Sequence, residues 1–300
     1  MMKGVTDDER PLAGITLRLL SGVLFTAMMV CVKAASTVAP LGQTVFFRSA
    51  FALLPIVVFL AWRREFPAGL ATRRPGGHLL RSGLGAAAMF ASFAALALLP
   101  VAEATLLAQL TPVLMALGGV LLLGERLTAH RAGALLLALS GVAVLALPAL
   151  GAGEASALGY ALGALAALLS AGALLTVRRI SRTETPGAIA FYFILVSALA
   201  GLATWPLGWA ALSGPQLGLL VLSGLFGGAA HICMTLALRY AEASRLAPFE
   251  YLALIWPVLA DLAIFGLTPS GGFLLALPLV LAGAGLAALE GRRLRWPLRR

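Results

Sequence analysis

Apolar runs of about 20 residues, long enough for a helix to cross a hydrocarbon core roughly 30 Å thick, succeed one another along almost all of this 300-residue chain. Nothing else in the sequence limits the fold so strongly. In hydrocarbon every backbone N–H and C=O must be satisfied internally, which leaves helices or closed barrels. Runs of this length read as helices. Hydrophobic residues make up 61% of the chain and charged residues 11%, against about 25% charged in a soluble domain. No room remains for a sizeable soluble domain, so the expected fold is an all-α membrane protein.

Ten spans are predicted, at approximately 14–36, 43–62, 81–99, 103–123, 131–149, 157–177, 187–207, 216–238, 246–265 and 272–290. The connections alternate in charge. "WRREFPAGLATRRPGGHLLR", "GERLTAHR", "RRISRTE", "RYAEASR" and the tail "GRRLRWPLRR" are basic, whereas Ser36–Gly42, Pro100–Ala102, Gly151–Ser156, Gly208–Pro215 and Gly266–Gly271 contain no Lys or Arg. By the positive-inside rule this places both termini in the cytoplasm of a bacterial-type inner membrane. It also accounts for the net charge of +10 without a nucleic-acid partner. Asp7, Asp8 and Glu9 make a poor leader n-region, so the first run is expected to be retained as a span.

Displacing the chain against itself by 142 residues aligns Gly85 with Gly227, Ala95-Leu96 with Ala237-Leu238, Gly124 with Gly266, Thr128 with Ser270 and Gly141 with Gly283. A repeat of five spans crosses an odd number of times, so its second copy enters from the opposite side. The expected architecture is ten transmembrane helices in two inverted five-helix repeats. A tail at 1–13 precedes repeats at 14–149 and 150–290, and a basic tail at 291–300 follows. Inverted repeats commonly build secondary transporters with a site near the midplane.

Ionisable groups inside a span cost about 2.5–3.5 kcal/mol on insertion scales and normally face the bundle interior with a partner. Lys33, Arg48, Glu103 and Asp261 fall toward the outer side and are expected to pair as a gate or charge network. In the ninth span Glu250, Leu254, Pro257 and Asp261 share a helix face, with the carboxylates about 16 Å apart along the axis, flanked by Tyr251 and Trp256. In the eighth, Gly224, Gly228, His231 and Thr235 share a face that lets another helix approach closely. Thr105, Gln109 and Pro112 form a polar stripe in the fourth, where Pro112 would free a carbonyl. The expected cavity is lined by spans 1, 3, 4, 6, 8 and 9, with Gln109, His231, Glu250, Tyr251 and Trp256 as substrate-binding residues.

Enzyme signatures such as GxSxG, HExxH, CxxC and a Walker lysine motif are missing from the sequence, and Lys3 and Lys33 are its only lysines. Two loose GxGxxA matches, at Gly83 and Gly283, sit inside predicted spans with no preceding strand and read as helix packing. Cys31 and Cys233 lie far apart in apolar runs and read as buried thiols. Neither a metal nor a cofactor is expected. "LLLGERLT" sets Glu125 and Arg126 where the fourth span reaches the cytoplasmic surface, with Thr128 placed to cap the next helix.

"GQTVFFRSAFAL", "ALALLPVAEAT", "LLLGERLT" and "ALRYAEASRLAPFEYLALIWPVL" resemble EamA-type members of the drug/metabolite transporter superfamily over nearly the whole chain. The resemblance implies a ten-helix inner-membrane transporter of two EamA repeats that moves a small organic metabolite or drug. It marks Arg48, Glu103, Glu125 and Ala247–Tyr251 as characteristic positions. The chain departs from the family at Leu267 in "FGLTPS", where second repeats often carry a GE pair. An acid at both repeat ends therefore does not hold here, and Glu125 reads mainly as a topological marker, with gating as its alternative role.

The function expected is alternating-access transport of an amino acid or related amphiphilic nitrogenous compound. Uptake of S-adenosylmethionine or riboflavin-like cofactors is the alternative, and an intramembrane enzyme on lipid-linked substrates is the alternative from another class. Its partners would be a small-molecule substrate and membrane lipid. A homodimer is compatible with the pattern.

Overall fold

Helix ends in this chain fall where capping residues and prolines stand. The computed structural model describes residues 11–123, 128–152, 154–241 and 252–293, together with Leu246 and Phe249. Among the described residues there is no strand; the helices are α1 (Pro11–Ala35), α2 (Leu41–Trp62), α3 (Pro75–Leu98), α4 (Val101–Ala108), α5 (Leu110–Leu123), α6 (Ala129–Ala152), α7 (Glu154–Ile180), α8 (Pro186–Leu202), α9 (Gly214–Tyr240), α10 (Ile255–Ile264) and α11 (Gly271–Arg293). Among the described residues eight segments are long and apolar enough to cross a membrane, α4 and α5 counting as one, and two shorter apolar helices lie at Ile255–Ile264 and Gly271–Ala287. Leu54, Val58, Leu121, Leu136 and Leu274 expose more than half their surface on the rim, as lipid-facing residues do.

The Thr128 hydroxyl accepts the Arg131 N–H at 3.3 Å at the start of α6. Ser270 accepts the Phe273 N–H at 3.0 Å at the start of α11. Ser213 and Gln216 form a reciprocal capping box on α9. Each answers amide groups that a helix start leaves unpaired.

Three predicted boundaries change. The third span begins at Pro75 rather than 81, because a proline at the first helical position forfeits no bond. The fourth is not one helix: it breaks at Gln109, between α4 and α5. The ninth breaks at Ala253–Leu254, ahead of α10, so Leu254 does not share one continuous helix with Pro257 and Asp261, and Glu250 lies outside the described residues. Both breaks fall at or beside the residue four before a proline, Ala108 before Pro112 and Ala253 before Pro257. A proline supplies no N–H to that carbonyl, and its ring crowds it. Pro55, Pro148 and Pro278 are carried inside continuous helices, so these two sites break for more than the presence of proline.

The largest packing interfaces join α1 to α9, α3 to α7, α6 to α11, and α2 to both α8 and α9. Glycines permit the closest approaches. A Cβ on Gly224 would lie 2.8 Å from the Arg48 carbonyl oxygen, and one on Gly228 2.8 Å from that of Ala52, so the small face of α9 receives α2, as its spacing predicts. A Cβ on Gly283 would meet the Ala134 carbonyl oxygen at 2.7 Å and the Ala138 N at 2.9 Å, while one on Gly141 would meet the Ala276 carbonyl oxygen and the Val280 N, both at 3.1 Å.

The basic α2–α3 and α7–α8 connections meet at one end of the bundle. There the Glu184 carboxylate and His78 Nε2 share a 2.9 Å hydrogen bond, the Arg73 N–H donates to Glu184 at 3.1 Å, and Thr185 donates to the Gly69 carbonyl at 2.9 Å. This clasp ties the α2–α3 connection to the α7–α8 connection. The hydrogen bond from His78, aided by Thr72 and the Arg73 amide, holds the Glu184 carboxyl below the usual carboxylate range against the opposing effect of burial.

Gly283→Val should cost about 1–3 kcal/mol through overpacking against backbone, read as a lower melting temperature in detergent. Gly285→Val, whose Cβ meets nothing within 4 Å, should melt near wild type; equal losses would refute close α6–α11 packing as the cause. Because the Glu184 carboxyl is depressed in the folded state, its contribution is present above the unfolded value and lost as pH falls through the folded one. Glu184→Gln should therefore lower the melting temperature at neutral pH, with the gap closing in acid. A gap independent of pH would contradict the clasp.

Candidate functional site

The two helix breaks face one space. A cavity of about 340 Å³ lies between α1, α3, α4, α9 and the segment entering α10, and both Ala108 and Ala253 line it. Its walls are mainly apolar and soft, with Phe25, Met28, Met29 and Phe93 among them; Thr26, Ser92, Thr105 and Gln109 supply polar groups, and Arg18 marks its reach toward the basic end. Thr105 donates to the Val101 carbonyl at 2.7 Å and stands 3.6 Å from the Met29 sulfur. Apolar walls with a few placed polar groups suit a small organic ligand. Among the described residues no three His, Cys, Asp or Glu side chains gather to hold a metal.

The predicted binding residues distribute unevenly. Gln109 lines this cavity. His231 does not; its ring sits edge-on to Phe25 at 5.1 Å, and it lines a second, more apolar cavity of about 230 Å³ between α2, α8 and α9. Phe25 and His231 thus form the partition between the two spaces. Trp256 packs beside Gly22, with its indole N–H buried and unpartnered among the described residues. Glu250, Tyr251 and Glu125 lie outside the described residues. The sixth span, α7, is absent from the lining because it packs behind α3 and α5.

The expected outer charge network resolves into helix caps. At the Pro100 corner between α3 and α4, the Lys33 ammonium donates to the carbonyls of Leu96 at 3.1 Å and Leu99 at 2.6 Å. The Asp261 carboxylate accepts the amides of Val101 at 2.9 Å and Ala102 at 2.8 Å. A cation thus sits at a helix C-terminus and an anion at an N-terminus, where the macrodipole favours each. Glu103 accepts from the Tyr160 hydroxyl at 2.5 Å and the Ser270 hydroxyl at 2.9 Å. Lys33 thus spends its donors on carbonyls.

Arg48 does not join this network. It lies about 10 Å further into its helix, only 3% exposed, with one guanidinium nitrogen 3.5 Å from the Met28 sulfur and the other two unpartnered among the described residues. Its helix turns it toward α1 and α9 instead of the Pro100 corner, as its closeness to Gly227 shows. Sequence reasoning also passed over Arg81, which reads as a loop charge only if α3 starts late. In the structure its guanidinium lies 4.0 Å from the centre of the Phe193 ring, inside the bundle.

Comparison with known proteins follows the same lines. Residues 12–147 match the EamA-like transporter family. The chain is 31% identical over 251 residues to the pseudopaline exporter of Pseudomonas aeruginosa, covering 81% of this chain and 84% of that one. It is 30% identical over 297 residues to the riboflavin transporter of Rhizobium johnstonii, covering 97% and 96%. It is 31% identical over 216 residues to the aromatic amino acid exporter of Ancylobacter novellus, covering 68% and 72%. A solved crystal structure superimposes with a TM-score of 0.61 at 26% identity, covering 94% of this chain and 99% of that one. Apolar helices, a cavity at two helix breaks and relatives aligned across most of its length place this multi-pass membrane protein in the EamA-like transporter family.

Proposed function

We propose that the protein is a secondary transporter of a small organic metabolite, working by alternating access at the cavity between the broken helices. The cavity at the two breaks carries this reading, because discontinuous helices near the midplane form the substrate sites of such transporters. Relatives named for pseudopaline, riboflavin and aromatic amino acids support amphiphilic nitrogenous compounds with a planar or acidic part as the substrate range.

The ten crossings form two inverted repeats at 14–149 and 150–290, with tails at 1–13 and 291–300. The capping hydroxyls Thr128 and Ser270 stand 142 residues apart and open the fifth helix of each half. Gly141 packs on Ala276 and Val280, and Gly283 on Ala134 and Ala138, so each contact becomes the other on the same displacement. Exchanging the halves also turns the α1–α9 interface into α7–α3, and α2–α9 into α8–α3, all of them interfaces found in the bundle. Both termini lie on the cytoplasmic side of a bacterial-type inner membrane with the basic connections. The end whose connections lack Lys and Arg is then external, tied by Lys33, Asp261 and Glu103, while the cavity reaches inward to Arg18.

Proteoliposomes containing the purified protein should take up or release at least one of an aromatic amino acid, riboflavin or pseudopaline above protein-free controls; no flux for any of them would refute the proposal for this substrate range. Alternating access predicts that cysteines at Tyr160 and Ser270, in a background lacking Cys31 and Cys233, stop transport when crosslinked and restore it on reduction. Undiminished flux through the crosslinked protein would refute opening at that end.

A further inference from the structure

The described cations of the bundle interior divide into satisfied and unsatisfied ones. Lys33 shows how this chain settles a cation used for structure, on two helix-end carbonyls. The acids are settled too: Asp261 on two amides, Glu103 on two hydroxyls, and Glu184 on His78 and an amide. Arg48 and Arg81 differ. Each keeps Nε and Nη1 buried without a hydrogen-bond partner among the described residues. Arg48 is almost fully buried and has only a thioether for its third nitrogen. Met28 against Arg48, Phe193 under Arg81 and Phe25 against His231 belong to one packed cluster, so the three groups share one region of the interior. Buried charges are ordinarily paired, and buried guanidiniums are ordinarily saturated with acceptors.

Around them the surface is aromatic. Phe193 lies under Arg81, and Phe25 stands against His231 and lines the central cavity. Met28, which holds Arg48, lines that cavity as well. Arg48 therefore sits just behind the cavity wall, and Arg81 lies beyond Phe193 in the same packed cluster. A planar fork of N–H donors matches a carboxylate or phosphate in two-point contact, and the neighbouring rings suit an apolar or planar body.

We propose that Arg48 and Arg81, with His231 between the two cavities, form the receptor for a carboxylate or phosphate group on the transported molecule, making the substrate an amphiphilic organic anion or zwitterion. This rests on the transport reading above and adds the chemical class of its cargo. Met28 and Phe25 move aside as the anion enters, and the anion supplies the acceptors that the protein lacks.

The test uses the full-length protein in detergent and thermal-shift titration with matched probes: 3-phenylpropionate and phenyl phosphate against 3-phenylpropanamide and benzyl alcohol. A charge-assisted hydrogen bond is worth enough to favour the anion by about 10- to 100-fold. Arg48→Gln and Arg81→Gln should each reduce that preference toward unity while leaving the weak affinity for the neutral probes. Arg81→Lys should keep part of it, and Arg81→Gln carries the test alone if Arg48→Gln does not fold. Carboxylate and phosphate arms identify which anion fits better. The proposal is overturned if no anion stabilises the wild type, if amide and anion bind alike, or if the foldable Gln variants leave the ratio unchanged. Flux in proteoliposomes separates the two readings. Anion binding without flux counts against transport alone, whereas flux of the neutral probes without anion preference counts against the receptor alone.

Discussion

A helix that ends in a low-dielectric interior leaves carbonyls or amides with no water to take them, and the architecture turns on how the Pro100 corner meets this demand. The chain stops α3, reverses and starts α4 within a few residues, exposing acceptors on one side and donors on the other. Lys33 answers the acceptors from α1 and Asp261 answers the donors from α10. One solution to a backbone problem thereby fixes four helices against one another, and Glu103 adds α7 and the start of α11 through Tyr160 and Ser270. The cavity below exists because this end is held together while two helices beneath it are interrupted.

Much of the bundle was legible in the sequence. Apolar length gave the spans, since a membrane helix is recognised by a property every residue contributes to. The meeting of the basic α2–α3 and α7–α8 connections follows from the same pattern, and the small face of α9 at Gly224 and Gly228 receives α2 as spacing requires. The caps at Thr128 and Ser270 were readable because a hydroxyl before a helix has few other roles.

What escaped was partnership. Sequence places Lys33, Arg48, Glu103 and Asp261 near one level and invites pairing by charge, yet a carboxylate in an apolar interior is as well served by two amides as by an ammonium. Arg48 stands apart because helix rotation, invisible without the neighbours, aims it at Met28. The breaks at Gln109 and Ala253 were also hidden. Pro55, Pro148 and Pro278 sit inside continuous helices while the chain breaks ahead of Pro112 and Pro257, so a proline in an apolar run does not by itself announce an interruption. Arg81 was lost to a boundary error of six residues at the start of α3.

The contact of α6 with α11 has a consequence for ancestry. Gly141 meets Ala276 and Val280 while Gly283 meets Ala134 and Ala138, so the surface on one helix is the surface on the other, turned over. A self-complementary surface of that kind is what two copies of one polypeptide present to each other across a two-fold axis. Two copies of one helix with this spacing of small residues would supply everything this seam requires. Duplication and fusion would then have freed each half to vary.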